Sequence, residues 1–285
     1  LGLALIINPE LEAAIEMAHI LHLPSSLEVT NFAHGQAQLI KYEIPEGSIL
    51  DGTKLMDLGT RHHANILIGA VERDDEVTIP SGDFVLRKGD KLSFVGERRH
   101  TKEFFSHIGV NTHSVKNTLI IGGGKAAYYL AKQLISRGIK VKIIENSFER
   151  CEELSILLPD AVIINGDGTE QALLKEEGIE TCQSFVPLTG IDEENIMLTL
   201  YAKQVSNAKV ITKLNRITFT NVINSLDLGS VISPKYITSE AIIAYVRAKK
   251  NSMNCNIETL YHMYDSRVEA IEFFVSENSN VTDIP

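Results

Sequence analysis

Hydrophobic residues keep one spacing in the first part of the chain and another in the second, and the change separates two styles of folding. The opening run Leu3-Ala4-Leu5-Ile6-Ile7 is unbroken and short, as in a buried strand. Asn8 then offers an N-cap, Pro9 fits the first helical position, and Glu10 and Glu12 lie in the first turn. Leu11, Ile15, Ala18 and Leu21 share one helical face until Pro24 ends the helix. From about Ser25 the period becomes two. Ile40, Tyr42 and Ile44 alternate with Lys41 and Glu43, and Pro45-Glu46-Gly47 turns the chain. Ile66, Ile68 and Ala70 mark another strand, and Arg73-Asp74-Asp75-Glu76 a turn leading into residues 77–79. Segments 84–86 and 92–95 flank Lys88-Gly89-Asp90-Lys91, which predicts a hairpin. Residues 100–108 close this strand-rich α+β region as a helix carrying Phe104, Phe105 and Ile108, and 109–117 read as a polar linker.

From Thr118 onward, apolar runs at 118–121, 141–144, 161–164, 184–188, 209–212 and 230–232 have helix-period segments between most of them, at 126–136, 148–158, 170–177 and 192–204. Strand and helix in alternation predict a doubly wound parallel sheet.

Parts of the chain also repeat. Ile6-Ile7-Asn8-Pro9, after Leu1-Gly2, returns as Val231-Ile232-Ser233-Pro234 after Leu228-Gly229, and 38–44 is echoed by 269–275. Both echoes are displaced by roughly 225 to 231 residues, which points to a duplicated two-domain unit rather than a solenoid. The expected domains are 1–24, the end of a first nucleotide-type domain; 25–110, strand-rich; 117–252, a second nucleotide-type domain; and 253–285, the start of a second strand-rich domain. Opening on Leu1, the chain reads as a piece of a longer one.

Composition narrows the function. With 44% hydrophobic and 22% charged residues the chain is globular, and its net charge of -10 is spread along it, which disfavours a nucleic-acid partner. Three cysteines without a pairing pattern fit a reducing, cytoplasmic setting, and no apolar stretch reaches the length of a membrane span. No histidine or cysteine spacing suggests zinc, and neither a serine-nucleophile elbow nor a Walker motif occurs.

The chemistry gathers at Gly122-Gly123-Gly124-Lys125-Ala126-Ala127, which follows a strand and opens a helix. Gly122 permits a tight turn, Gly124 lets a pyrophosphate approach the backbone, and the helix N-terminus favours anions. Glu145 ends the next strand, about twenty residues after the loop, where a carboxylate accepts both ribose hydroxyls and repels a 2′-phosphate, favouring NAD(H) over NADP(H). Three later strand ends face the same crevice: Asp167 within Asn165-Gly166-Asp167-Gly168-Thr169, then Thr189-Gly190, then Lys213. Turn chemistry or a solvated charge explains each of these equally well by spacing alone. Asp192-Glu193-Glu194 reads as the charged first turn of a helix.

Taken together, Gly122-Gly123-Gly124, Glu145, Gly166-Asp167, the segment 188–197 with its Asp-Glu-x-Asn-Ile-Met core, and Ile232-Ser233-Pro234 resemble the RCK/KTN (regulator of potassium conductance) family over nearly the whole chain. The resemblance implies Rossmann-like domains of the RCK N-terminal type, each followed by a small α+β RCK C-terminal domain, in duplicate. It implies a non-enzymatic cytoplasmic subunit that binds NAD(H), with ATP and ADP as further candidates, peripheral to the membrane through a Trk/Ktr-type potassium-translocating protein. The resemblance further implies that a homo-oligomeric ring, a tetramer of duplicated chains, gates that protein. The phosphate loop carried over is Gly122, Gly123, Gly124, Lys125 and Ala126, the ribose acid is Glu145, and Thr189, Gly190 and Lys213 complete the pocket. Ala127 stands where a third glycine is commoner. The rivals are an NAD-dependent oxidoreductase and a nucleotide sensor for a different transporter.

Overall fold

The computed structural model describes residues 6–23, 25–32, 36–61, 65–110, 112–216, 220–251, 257–264, 267–273, 275 and 279. In chain order the elements are α1 (Pro9–His22), β1 (Glu28–Phe32), β2 (Ala37–Glu43), α2 (Leu58–Arg61), β3 (Leu67–Arg73), β4 (Glu76–Thr78), β5 (Lys91–Glu97) and α3 (Arg98–His107). There follow β6 (Asn117–Ile121), α4 (Lys125–Ile135), β7 (Lys140–Glu145), α5 (Phe148–Leu157), β8 (Val162–Asn165), α6 (Gln171–Glu176), β9 (Ser184–Pro187) and α7 (Asp192–Val205). The last are β10 (Lys209–Lys213), α8 (Thr220–Ser225), β11 (Ser230–Ile232), α9 (Pro234–Asn251), β12 (Ile257–Met263) and β13 (Val268–Phe273). They divide into two compact units, one made of Asn8–Val29 with Val110–Ile237, the other containing Thr30–Gly109 and Thr238–Pro285.

The first unit is built on a six-stranded sheet in the order β11-β10-β9-β6-β7-β8, and its strand pairs are all parallel. The chain runs outward from β6 in both directions, so β6 and β9 are neighbours at the point where the winding reverses. Alternate residues of each strand feed opposite faces. Ile120, Val141, Ile143, Val186 and Ile211 pack with α4 and α5, whereas Leu119, Ile121, Ile144, Phe185 and Val210 pack with α6 and α7. Two buried faces explain why these strands read as continuous apolar runs rather than alternating ones. The alternation expected from Thr118 onward is thus what forms.

α1 belongs to this same unit although a whole strand-rich segment separates them in sequence. Its N-cap is the one expected: Asn8 Oδ1 accepts from the Leu11 N–H at 3.2 Å, with Pro9 at the first helical position. Ala13, Ala14, Met17, Ala18 and Leu21 are buried in one cluster with Ala127, Leu130, Ala131 and Leu134 of α4. Alanines on both helices let the axes come close, which larger side chains would prevent. The segment read as the tail of another nucleotide-type domain therefore supplies a helix to this one. Most of the strand expected at 3–7 lies outside the described residues.

The second unit holds a five-stranded sheet ordered β1-β2-β5-β3-β4, with β2–β5, β5–β3 and β3–β4 antiparallel. Phe104 and Phe105 of α3 pack with Tyr42 and Phe94 of the sheet in an aromatic cluster, the Tyr42 and Phe94 rings meeting Phe105 edge-on at 5.2 and 5.7 Å. The opposite face, at Leu39 and Val95, receives Met263, Tyr264, Val268 and Ala270 from the β12–β13 hairpin. Tyr264 is tied down there: its hydroxyl donates to Lys91 O at 2.9 Å and accepts from Ser93 Oγ at 2.8 Å.

The turn at 73–76 forms as expected, a two-residue loop between β3 and β4 in which Asp74 and Asp75 both have positive φ (51° and 63°). The hairpin expected between 84–86 and 92–95 does not form. Both edges of β5 are taken by β2 and β3, and Leu86 instead exchanges backbone bonds with Thr53 and Gly52 at 2.9 Å each. Asp90, which is buried, explains the detour: it accepts from Arg73 Nε and Nη2 at 2.7 Å and from the Arg87 N–H at 2.8 Å, folding the chain back before β5 starts. Among the described residues no helix is long and apolar enough to cross a membrane.

Candidate functional site

The crevice lies outside the carboxyl ends of β6 and β9. Gly122 follows β6 with φ +92°, and a Cβ there would sit 3.1 Å from Leu188 O and 3.2 Å from Thr189 N. Backbone conformation and the closeness of the β9 end therefore both require glycine. Gly122 N–H donates to Ile144 O at 2.8 Å, which ties the loop to β7.

Gly123 is held at both of its polar atoms, by the last residue of β7 and by a residue in the first turn of α5. Its N–H donates to Glu145 Oε2 at 2.6 Å, and its carbonyl accepts from Arg150 Nε at 2.7 Å. The other oxygen of Glu145 accepts from the Ser147 N–H at 2.7 Å, and Ser147 Oγ caps α5 by accepting from the Arg150 N–H at 3.3 Å. Gly123, Glu145, Ser147 and Arg150 thus close a ring of hydrogen bonds, with Glu153 paired to the Arg150 guanidinium. A Cβ on Gly123 would meet Leu154 Cδ1 at 2.6 Å, so the loop rests directly on α5.

Gly124 is different. It is the N-cap of α4, no side chain caps that helix, and a Cβ built there finds nothing within 4 Å. An eleven-residue helix with uncapped first-turn amides beside open space is what an anionic group would need. Lys125 lies exposed in the same turn, while Ala126 and Ala127 are buried against the sheet. Glu145 retains lone pairs on both oxygens, because among the described residues each accepts one hydrogen bond, so a ribose diol can still be received. These residues fit an adenine dinucleotide.

The third strand end closes over the same place. A Cβ on Gly168 would lie 2.2 Å from Ile121 Cγ2, so this loop crosses the end of β6. Asp167 within it is exposed and turned onto its own loop, accepting from the Thr169 N–H at 2.8 Å and Thr169 Oγ1 at 2.7 Å, which holds its carboxyl below the usual range. Cys151 is buried behind this end, with burial pushing its thiol up and Asn165 Nδ2 donating to its sulfur at 3.6 Å.

Thr189 and Lys213 do meet, through the backbone. Lys213 Nζ donates to Thr189 O at 3.0 Å, and burial lowers the ammonium's pKa against the opposing charges of Asp192 and Glu10. The fully buried Asn195 organises this side: its Oδ1 accepts from Thr189 N and Oγ1 at 3.0 Å each, and its Nδ2 donates to Thr189 O at 3.2 Å and Lys213 O at 3.0 Å. Asp192 begins α7 and accepts from the Asn215 N–H and Nδ2 and from the Arg216 N–H at 2.8 to 2.9 Å. It works as a clasp between α7 and the end of β10. Gly190 leaves open space where a Cβ would be.

Arg150 and Asn195 carry much of this geometry; Asn195 entered the residue pattern only as part of the 192–197 motif, with no role given to it, and Arg150 was not singled out. The signal for Arg150 was Ser147 as an N-cap with Arg150 three positions on; for Asn195 it was a polar residue on the inward face of α7 beneath Thr189.

Known proteins agree with this architecture. The TrkA-N domain matches residues 118–234 and the TrkA-C domain residues 39–109. The Trk system potassium uptake protein trkA homolog 1 of Methanosarcina mazei is 32% identical over 285 residues, covering 100% of this chain and 68% of that protein. The Trk system potassium uptake protein TrkA of Haemophilus influenzae is 30% identical over 280 residues, covering 98% of this chain and 60% of that protein. Among solved structures, the GsuK RCK domain superposes with a TM-score of 0.64 at 17% identity, over 91% of this chain and 56% of that one. The chain thus spans about three fifths to two thirds of the length of its relatives. It belongs to the TrkA family, the Trk system potassium uptake proteins.

Proposed function

We propose that this chain is the nucleotide-sensing part of a regulatory subunit for potassium uptake, binding NAD(H) between the Gly122 loop and Glu145 as a signal and leaving it chemically unchanged. The observation that carries the reading is the pairing, at the winding reversal of a parallel sheet, of an uncapped α4 beside open space with the Glu145 carboxylate at the end of β7. The relatives are named for potassium uptake, and the GsuK channel, similar in fold at a TM-score of 0.59, has been solved with NAD bound. A Trk/Ktr-type membrane protein would be the partner, and a ring of such subunits on the cytoplasmic face would bring two nucleotide-dependent arrangements to bear on it. The bias on the gate can be no larger than the difference in nucleotide affinity between those arrangements, about 1.4 kcal/mol for each tenfold ratio. ATP and ADP share the adenosine and phosphate groups this half of the crevice would read and are further candidates. The two proline-started helices α1 and α9, together with the echo of β2 in β13, support a duplicated chain.

Calorimetric titration of NADH, NAD+ and ATP into the wild type, Glu145→Gln and Gly124→Asp tests the site. Wild type is expected to bind, Glu145→Gln to lose on the order of a hundredfold as a charge-assisted ribose contact and the grip on Gly123 weaken together, and Gly124→Asp to bind nothing, since it places a carboxylate where the phosphates would lie. Absence of binding to the wild type, or consumption of NADH with a 2-keto acid, would overturn the reading.

A further inference from the structure

We propose that Arg150 is a positioning residue for the diphosphate loop, so that recognition of the two phosphates, as distinct from the adenosine, depends on a side chain of the next helix; this rests on the nucleotide reading above. In a trans peptide the carbonyl and the following N–H point in opposite directions. Arg150 Nε holds Gly123 O on the α5 side at 2.7 Å, and Glu145 holds the Gly123 N–H at 2.6 Å. With both polar atoms of Gly123 fixed, the peptide that follows has one orientation, and the Gly124 N–H is turned away from α5, toward the open side of the loop where a Cβ meets nothing. The loop holds its donors in place before any ligand arrives, which spares the ligand the cost of ordering them.

The arginine is well suited to this task. Its guanidinium is clamped at the far end by Glu153, and its own N–H is fixed by the Ser147 cap, so its reach to Gly123 does not depend on a freely rotating chain. The Ser147 N–H also donates to the other oxygen of Glu145, a bond that does not involve the Arg150 side chain, so the acid keeps that anchor when the arginine is changed. The side chain is 24% exposed, which leaves it at the rim of the crevice rather than in the core.

Arg150→Met and Arg150→Lys test the assignment, with calorimetry of NADH and ADP-ribose, NMR titration of adenosine, and amide hydrogen exchange at Gly123 in the ligand-free protein. Arg150→Met is expected to weaken NADH and ADP-ribose about tenfold, to change adenosine less than about twofold, and to speed exchange at Gly123. Arg150→Lys, whose ammonium can reach the carbonyl but not from a fixed fork, falls between. An equal loss for all three ligands, or unchanged exchange at Gly123, would overturn the proposal. If the wild type binds none of the three while Arg150→Met still speeds exchange, the nucleotide reading falls and the hold on the loop stands; if the wild type binds and Arg150→Met changes nothing, the reverse holds.

Discussion

The two sides of the crevice satisfy their polar groups in opposite ways. On the β6–β7 side the hydrogen bonds hold the loop from behind, at Gly122 and Gly123, and leave Gly124 and the first turn of α4 with no side-chain cap. On the β9–β10 side Thr189 spends its N–H, hydroxyl and carbonyl on Asn195, Ile191 and Lys213. A group whose bonds are already made inside the protein gains little by trading them for a ligand. The first side thus keeps first-turn amides uncapped for the ligand proposed above, and the second spends these groups within the protein, although both carry residues of the types that line nucleotide pockets.

The sharpest way to break that contrast is Gly122→Ala. The new methyl group must occupy φ +92° and press within 3.1 Å of Leu188 O, a strain of about 1–3 kcal/mol that the loop relieves only by moving. NADH affinity is expected to fall on the order of a hundredfold and the urea midpoint to drop with it. Binding that survives within about threefold would show that the loop tolerates displacement and that the β6–β7 side does not set affinity.

Asn195→Ala makes the opposite demand. It removes a fully buried amide and takes a partner from Thr189 N and from Lys213 O, while Thr189 O keeps its bond from Lys213 Nζ, so a loss of about 2–3 kcal/mol is expected in urea unfolding. NADH affinity is expected to change less than about threefold. If affinity falls further than stability, Thr189 touches the ligand and the second side binds as well as holds.

What the residue pattern revealed follows the same division. Strands buried on both faces left unbroken apolar runs at 118–121, 141–144 and 184–188, and the turn at Gly122 and the place of Glu145 at the end of β7 were legible because a tight strand-to-helix turn needs glycine at a fixed place along one strand–helix–strand unit. Contacts between distant segments left no such mark. The packing of α1 on α4 depends on alanines that any helix could carry, and the failed hairpin at 84–95 depends on Asp90 meeting Arg73, a pairing made by the fold of β3 rather than by neighbours in sequence. Arg150, and the role of Asn195 within its motif, were hidden for a related reason: each acts on a backbone atom of another loop, and backbone atoms have no letter in the sequence.

The smallest effect separates holding from binding at the third strand end. Asp167 is exposed, and its carboxylate is favoured in the folded state by the Thr169 N–H and hydroxyl, which lowers its pKa. The sign follows from that lowering. The folded protein takes up this proton less readily than the unfolded chain, so the contribution to stability is complete above the ordinary carboxylate pKa and is lost as pH falls through the depressed one. Because solvent screens the group, the contribution stays under about 1 kcal/mol. Asp167→Asn is therefore expected to lower the urea midpoint slightly at neutral pH and to match the wild type in strong acid, where both carry a neutral side chain. NADH affinity should be unchanged within about twofold, since the carboxylate faces its own loop. A variant that unfolds like the wild type at neutral pH but binds NADH several-fold more weakly would mean that Asp167 gives up Thr169 for the ligand, and the holding side of the crevice would then begin one strand later, at Thr189.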